Sequence, residues 1–322
     1  MSAARVLMTL AALCLGTATV AAAEDYPVRP IKMILPLSAG GVGDVVARVL
    51  AEKASATLGQ AIVIENRPGA STQIGTQAAA AATPDGYTIF FATTNVVTVT
   101  KLQTRPMYNL QRDFVPVLGI GSIPMVLAVS AKSKVQTIDD LISLAKSKDG
   151  GALFASGGVG SLAHLASAAL ANQLKMPITH VPFKGNNEST QALMTNLVDF
   201  FFPATADVVE FVKADQIRLL AVIANKRLAA FPNVPTMTEL GYPMINQKIW
   251  YAILVPTKTP PAAIARLADA FTQAMNNPAV QQRLAPYDYQ FDILNGPDLG
   301  KFIEDEANRW GKVIADNNIT LN

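Results

Sequence analysis

The chain has 322 residues, half of them hydrophobic and 16% charged, with a formal net charge of +2. That composition supports a substantial core and excludes an intrinsically disordered chain. The charge is nearly balanced and no basic stripe stands out, which argues against a nucleic-acid partner. One cysteine and two histidines leave no material for a disulfide framework, a thiolate metal site or most His-rich centres, so no metal and no cofactor is expected.

Arg5 is the lone charge of the first 23 residues, residues 6–19 form a short apolar run, and Ala21, Ala22 and Ala23 fit a small-residue cleavage site. Residues 1–23 therefore read as a secretory signal peptide cut after Ala23. The run is short for a membrane anchor. Cys14 follows Leu13, where lipid attachment would need a small residue, so the mature chain is expected to be exported, unanchored and without cysteine.

From there strands alternate with helices. The pattern predicts a strand over 31–35, a small-residue loop, and a helix over 44–58 with Val46, Val49, Leu50 and Ala54 on one face. A strand over 61–65 and a turn at 66–69 follow. An alanine-rich helix over 73–82 stops at Pro84, Asp85 and Gly86, and a strand covers 87–92. The middle of the chain repeats the theme. Strands are expected over 125–129, 152–155, 178–181, 198–202 and 217–224. The helices between them cover 138–146 behind the cap candidate Thr137, then 161–174, 187–195 and 207–213. A strand over 250–255, a helix begun by Pro261 and a closing helix over 297–316 complete an α/β chain.

One unit occurs in each half: strand, glycine loop, helix, at 35–44 and at 154–164. Such a loop leaves backbone N–H groups free at the positive end of a helix and can hold an anion without a basic side chain. Ligands of open α/β sheets sit outside the strand ends, and domain interfaces are preferred sites. From composition and spacing alone the chain is an exported, two-domain α/β protein with an anion cleft.

The ordered set of short motifs is more specific. Tyr26-Pro27-Val28-Arg29-Pro30-Ile31 precedes Ala39-Gly40-Gly41-Val42-Gly43-Asp44 with Ala47-Arg48. Glu65-Asn66-Arg67-Pro68-Gly69-Ala70 and Pro84-Asp85-Gly86-Tyr87-Thr88 follow. Gly160-Ser161 with His164-Leu165, Phe183-Lys184-Gly185 and Pro232-Asn233-Val234-Pro235-Thr236 complete the set. Over essentially the whole mature chain this resembles the extracytoplasmic solute receptors of tripartite tricarboxylate transporters, the Bug proteins. The resemblance implies a two-lobed periplasmic-binding-protein fold of type II-like form, each lobe a sheet flanked by helices, closing on a small carboxylate. It also implies delivery to membrane transporter subunits. Lobe 1 is expected to combine residues 24–120 with 250–322, and lobe 2 to hold 121–249, in a protein read as a monomer.

The expected ligand-binding residues follow the two loops. Ser38, Ala39, Gly40 and Gly41 form the first, which by itself reads equally as a tight turn and gains its ligand role from the resemblance. Asp44 would repel a carboxylate and reads as a helix-start residue. Thr93 and Thr94 end a strand and either contact ligand or cap a turn. Ser156, Gly157 and Ser161 form the second loop, with Ser161 a cap candidate in any case. His164, in the first helical turn, either donates to a carboxylate or is a satisfied structural residue, and the resemblance favours a ligand or water contact. Phe183 stands where relatives commonly carry tyrosine and leaves an apolar wall, and Lys184 balances ligand charge. Trp250 is a further source of apolar surface.

Departures from the family pattern bear on specificity. The run Phe200-Phe201-Phe202-Pro203 places Pro203 where relatives commonly have an aspartate able to pair with an amino group. A mono- or dicarboxylate without an α-amino group is the expected ligand. Catalysis is not expected: no Gly-x-Ser-x-Gly elbow, metalloprotease His pair or phosphate loop is present, and Ser161 with His164 lacks a third orienting group. A receptor that signals to a membrane histidine kinase is the alternative on the same fold, and a secreted hydrolase is less favoured.

Overall fold

The computed structural model describes residues 26–103, 106–243, 245 and 248–320. The signal-peptide reading, Cys14 included, lies outside them. In the first half β1 (Ile31–Leu35), α1 (Val42–Leu58), β2 (Ile62–Asn66), α2 (Gln73–Ala80) and β3 (Thr88–Thr93) follow the expected alternation. The helix α3 (Asn95–Leu102) and the short α4 (Leu110–Asp113) come next. β1 pairs in parallel with β2 on one side and β3 on the other. Alternation along β3 sends Ile89 and Phe91 to one face and Phe90 and Ala92 to the other, all fully buried.

The strand β4 (Phe114–Ser130) is 17 residues long, far longer than the 125–129 expected. Pro116, Gly119, Gly121 and Pro124 interrupt its apolar pattern, and the backbone absorbs two of them as register shifts, between Pro116 and Leu118 and between Gly119 and Gly121. Gly121 has φ +130°, and a Cβ there would run into the Gln290 carbonyl oxygen and the Tyr289 ring.

Beyond β4 come α5 (Ile138–Ser147), β5 (Ala152–Ser156), α6 (Leu162–Leu174), β6 (Ile178–Pro182) and α7 (Asn186–Met194). Thr137 does cap α5, in a reciprocal box with Asp140. Then follow β7 (Phe200–Phe201), α8 (Val209–Lys213) and β8 (Ile217–Ile223). The chain returns through β9 (Lys248–Pro256) to α9 (Pro261–Met275), α10 (Pro278–Leu284), β10 (Leu294–Asn295) and α11 (Gly296–Asp316).

The strand order is β2-β1-β3-β9-β4-β7-β5-β6, with β8 and β10 also pairing β4. β4 serves both halves. Phe114 to Pro124 pair antiparallel with β9, and Met125 to Ser130 pair antiparallel with β8. One hydrophobic cluster packs α1, α9 and α10 on one face of the first sheet section. A larger one runs from the other face, under α11, through the second half. Helix α11 packs on β4 and α3 and also reaches α6.

Candidate functional site

Between the halves lies a cleft of about 580 Å³. Its first wall carries Leu37, Ser38, the start of α1 from Val42 to Asp44, Thr93 and Asn95. Its second wall carries the start of α6 from Ser161 to Ala163, the segment from Lys184 to Glu188 that opens α7, and Asp207. Met125, Ile249 and Tyr251 from the crossing strands form the floor. Four helices, α1, α3, α6 and α7, thus begin at this one cleft. Each helix end presents N–H groups without an intrahelical partner and a partial positive charge, worth about 0.3–1 kcal/mol per end to an anion.

The first loop is held by charge. Gly40, at φ +83°, donates its N–H to Asp44 Oδ2 at 3.0 Å. Arg48 grips the same carboxylate with two bonds, Nε to Oδ2 at 2.9 Å and Nη2 to Oδ1 at 3.0 Å. Asn66 Nδ2 adds a bond to Oδ1 at 2.9 Å and one to the Leu37 carbonyl at 3.0 Å. Burial would push the Asp44 carboxyl up, but the bonds from Arg48, Gly40 and Asn66 outweigh it and hold it below the ordinary carboxylate range. Asp44 lies on the cleft wall with its charge already neutralised. The helix cap itself is Gly41, which has no side chain to cover the amides.

The second loop is held without charge. Ser156 Oγ meets His180 Nε2 at 2.6 Å and accepts the Gly158 N–H at 3.1 Å. His164 Nδ1 accepts the Gly160 N–H at 3.1 Å, so that nitrogen is unprotonated. The two imidazoles stack with centroids 3.9 Å apart, and Phe154 stacks on His180 at 4.7 Å. Burial pushes His164 down to about 4, helped by His180, and burial alone takes His180 to about 4. Ser161 caps α6, accepting the His164 N–H.

The expected residues divide accordingly. Ser38, Gly41, Thr93, Ser161 and Lys184 line the cleft. Gly40 and Ala39 are exposed beside it. Ser156, Gly157 and His164 stand behind the second loop rather than on its lining surface, Ser156 and His164 buried. The Thr94 hydroxyl ties down β9, accepting from Trp250 N at 3.0 Å and donating to the Lys248 carbonyl at 3.2 Å. Phe183 gives its N–H to the Ser156 carbonyl and packs on the core. Trp250 is buried against Phe302, its indole N–H bonded to Glu306 at 3.2 Å. It faces a separate cavity of about 440 Å³. That cavity's two cations are each matched by a carboxylate, Lys248 by Asp292 at 3.7 Å and Arg309 by Glu306 at 2.6 Å. Among the described residues that line it, it offers an anion no uncompensated positive charge.

Of the cleft residues that escaped the sequence reading, Gly43, Tyr251 and Asp207 bear most on its chemistry. Gly43 is buried at the start of α1, and a Cβ there would press on Leu37 and come to 3.4 Å from the Tyr251 hydroxyl. Tyr251 is 4% exposed, its ring held between Phe91 at 5.1 Å and Tyr289 at 6.4 Å. Burial and then the nearby Asp207 keep its hydroxyl protonated far above ordinary pH. Asp207 lies four residues past Pro203, so the cleft does contain an acid on its second wall. Pro203 therefore does not leave the site without a carboxylate. Asp207 could not be placed from sequence because the short helical turn Thr205–Asp207 ahead of α8 decides where its side chain lands.

A family model described as tripartite tricarboxylate transporter family receptor matches residues 46–319. The chain is 34% identical over 320 residues to Protein BugT of Bordetella pertussis, covering 98% of each. Among solved structures it is similar to an R. palustris protein, Rpa4515, with adipate, at TM-score 0.83 and 27% identity over 92% of this chain and 99% of that one. It is also similar to MatC from Rhodopseudomonas palustris with bound malate, at TM-score 0.80 and 27% identity over 90% and 100%. The fold is that of the two-lobed periplasmic binding proteins, and the chain belongs to the tripartite tricarboxylate transporter receptor family.

Proposed function

We propose that this protein captures a small carboxylate in the cleft and delivers it to the membrane subunits of a tripartite transporter. The observation that carries the reading is the convergence of four helix N-termini on one cleft, with Lys184 as its rim cation. The malate and adipate of the two similar structures are carboxylates of the size such a site takes. The ligand carboxylate accepts from the amides of Val42 and Gly43, and the hydroxyls of Thr93 and Ser161 face it from the two walls.

Lobe 1 combines residues 24–120 and 250–322 and lobe 2 holds 121–249. The change of β4's partner from β9 to β8 at Pro124 and Met125 supports that boundary. An anion touching both walls gains contacts only when they meet, so ligand selects a closed state. Residues 1–23 direct the chain to the periplasm and are removed there. The alternative partner, a sensor kinase, has no observation in its favour.

A thermal-shift screen of mono- and dicarboxylates tests the reading. The matching acid should stabilise the protein by about 2.7 kcal/mol at a hundredfold excess over its Kd. A screen in which no carboxylate shifts the transition while neutral sugars do would overturn it.

A further inference from the structure

We propose that Asp207 sets the ligand class: its free carboxylate oxygen accepts a hydrogen bond from the ligand, which is therefore a small carboxylic acid bearing a donor group, ammonium or hydroxyl, rather than a second carboxylate. The inference rests on the receptor reading above and narrows it.

Three acids line the cleft, and they are placed differently: Glu188 is exposed and accepts the Lys184 N–H at 3.2 Å, while Asp44 and Asp207 sit deeper. Asp44 has both oxygens filled by Arg48, Gly40 and Asn66. Asp207 receives one bond, from Asn186 Nδ2 to Oδ2 at 3.1 Å. No lysine or arginine pairs with it among the described residues. A half-buried carboxylate without a cation is costly unless something else donates to it. Burial accordingly pushes its carboxyl above the ordinary range, and the Asn186 bond offsets this only in part. Opposite, on lobe 1, stands Tyr251. It is more than nine-tenths buried, lines the same cleft, and its hydroxyl has no hydrogen-bond partner among the described residues. It lies against Gly43, at the start of α1. The cleft lining therefore combines donors, the α1 amides and the Tyr251 hydroxyl, with an acceptor, Asp207. A ligand with a carboxylate at one end and a donor at the other satisfies both. A dicarboxylate sets its second charge against Asp207.

Isothermal titration with length-matched sets tests this: succinate, 3-hydroxypropionate, β-alanine and propionate, then glutarate, 4-hydroxybutyrate, 4-aminobutyrate and butyrate. In the wild type a donor-bearing acid should bind about tenfold more tightly than the dicarboxylate of its set, the scale of one charge-assisted bond. Asp207→Asn should erase that margin and raise dicarboxylate affinity. An ammonium ligand loses most in the variant, whereas a hydroxyl ligand retains an acceptor, which separates the two sources of the donor. Asp207→Ser gives the same readout if the asparagine variant does not fold. Dicarboxylates binding more tightly in the wild type, with no change in either variant, would overturn the inference and leave the receptor reading standing. Failure of both sets, and of malate and adipate, to bind would overturn the receptor reading and the inference with it.

Discussion

The two strand-loop-helix passes look alike in sequence and are stabilised by opposite means. The loop after β1 is exposed and fastened by an ion pair, Asp44 with Arg48, plus Asn66 and the Gly40 amide. The loop after β5 is fastened from behind by two neutral, stacked imidazoles and the Ser156 hydroxyl. The difference teaches where the ligand's field comes from. The first loop can carry a buried carboxylate only because its charge is neutralised before the ligand arrives, and the second carries no charge at all. Neither loop sets a free negative charge against an anion at its own helix end. Two further acids on the described cleft surface, Asp207 and the exposed Glu188, stand apart from both loops.

Breaking the charged fastening has the largest expected effect. Asp44→Ala strands the Gly40 amide and Asn66 and frees Arg48, and should destabilise the protein by about 2–4 kcal/mol by denaturant titration. If the loss is under 1 kcal/mol, the ion pair is not what holds the first loop. Gly40→Asp keeps the fold, since the space around Gly40 is open to 4 Å and aspartate tolerates a left-handed backbone. It sets an uncompensated charge beside the anion, worth about 2–3 kcal/mol of lost affinity at an effective dielectric near 20. Calorimetry that gave unchanged affinity would remove the loop from the site.

Thr94→Val sharpens the comparison from a neutral position. It leaves the Trp250 amide without its acceptor and should cost about 1–2 kcal/mol of stability, while carboxylate affinity stays the same. An affinity loss larger than the stability loss would put Thr94 on the ligand. The second loop shows itself as a pH slope. Both histidines are held near 4 in the folded protein against 6.5 in the unfolded chain. The unfolded chain binds more protons in that window, so stability falls as pH drops from about 6.5 to about 4. His180→Gln should flatten the slope of melting temperature across that range. A wild-type profile that is flat there would mean the pair is not buried as a neutral stack.

Much of the fold was legible in the residues. The alternation at 31–35 and 87–92, the cap at Thr137 and the proline at Pro261 all mark real elements, within two residues of their ends. The long crossing strand was not, because Pro116, Gly119, Gly121 and Pro124 look like loop until β9 and Gln290 are there to pair with them. The site was half legible. Glycine loops announce helix ends, so Gly41 and Ser161 could be named. Tyr251 and Asp207 depend on how the two halves meet, which no local pattern encodes. His164 and Thr94 lay at the right place in the chain, but hydrogen bonds to Gly160 and β9 direct their polar atoms into the structure.

The central claim is that an anion bridges two walls and draws them together. Small-angle scattering on the protein alone and saturated with the carboxylate that gives the largest thermal shift measures this directly. A smaller radius of gyration in the bound form, lost in Gly40→Asp at the same ligand concentration, is the predicted result. Tight binding with an unchanged radius, from a free form that is open, would contradict it.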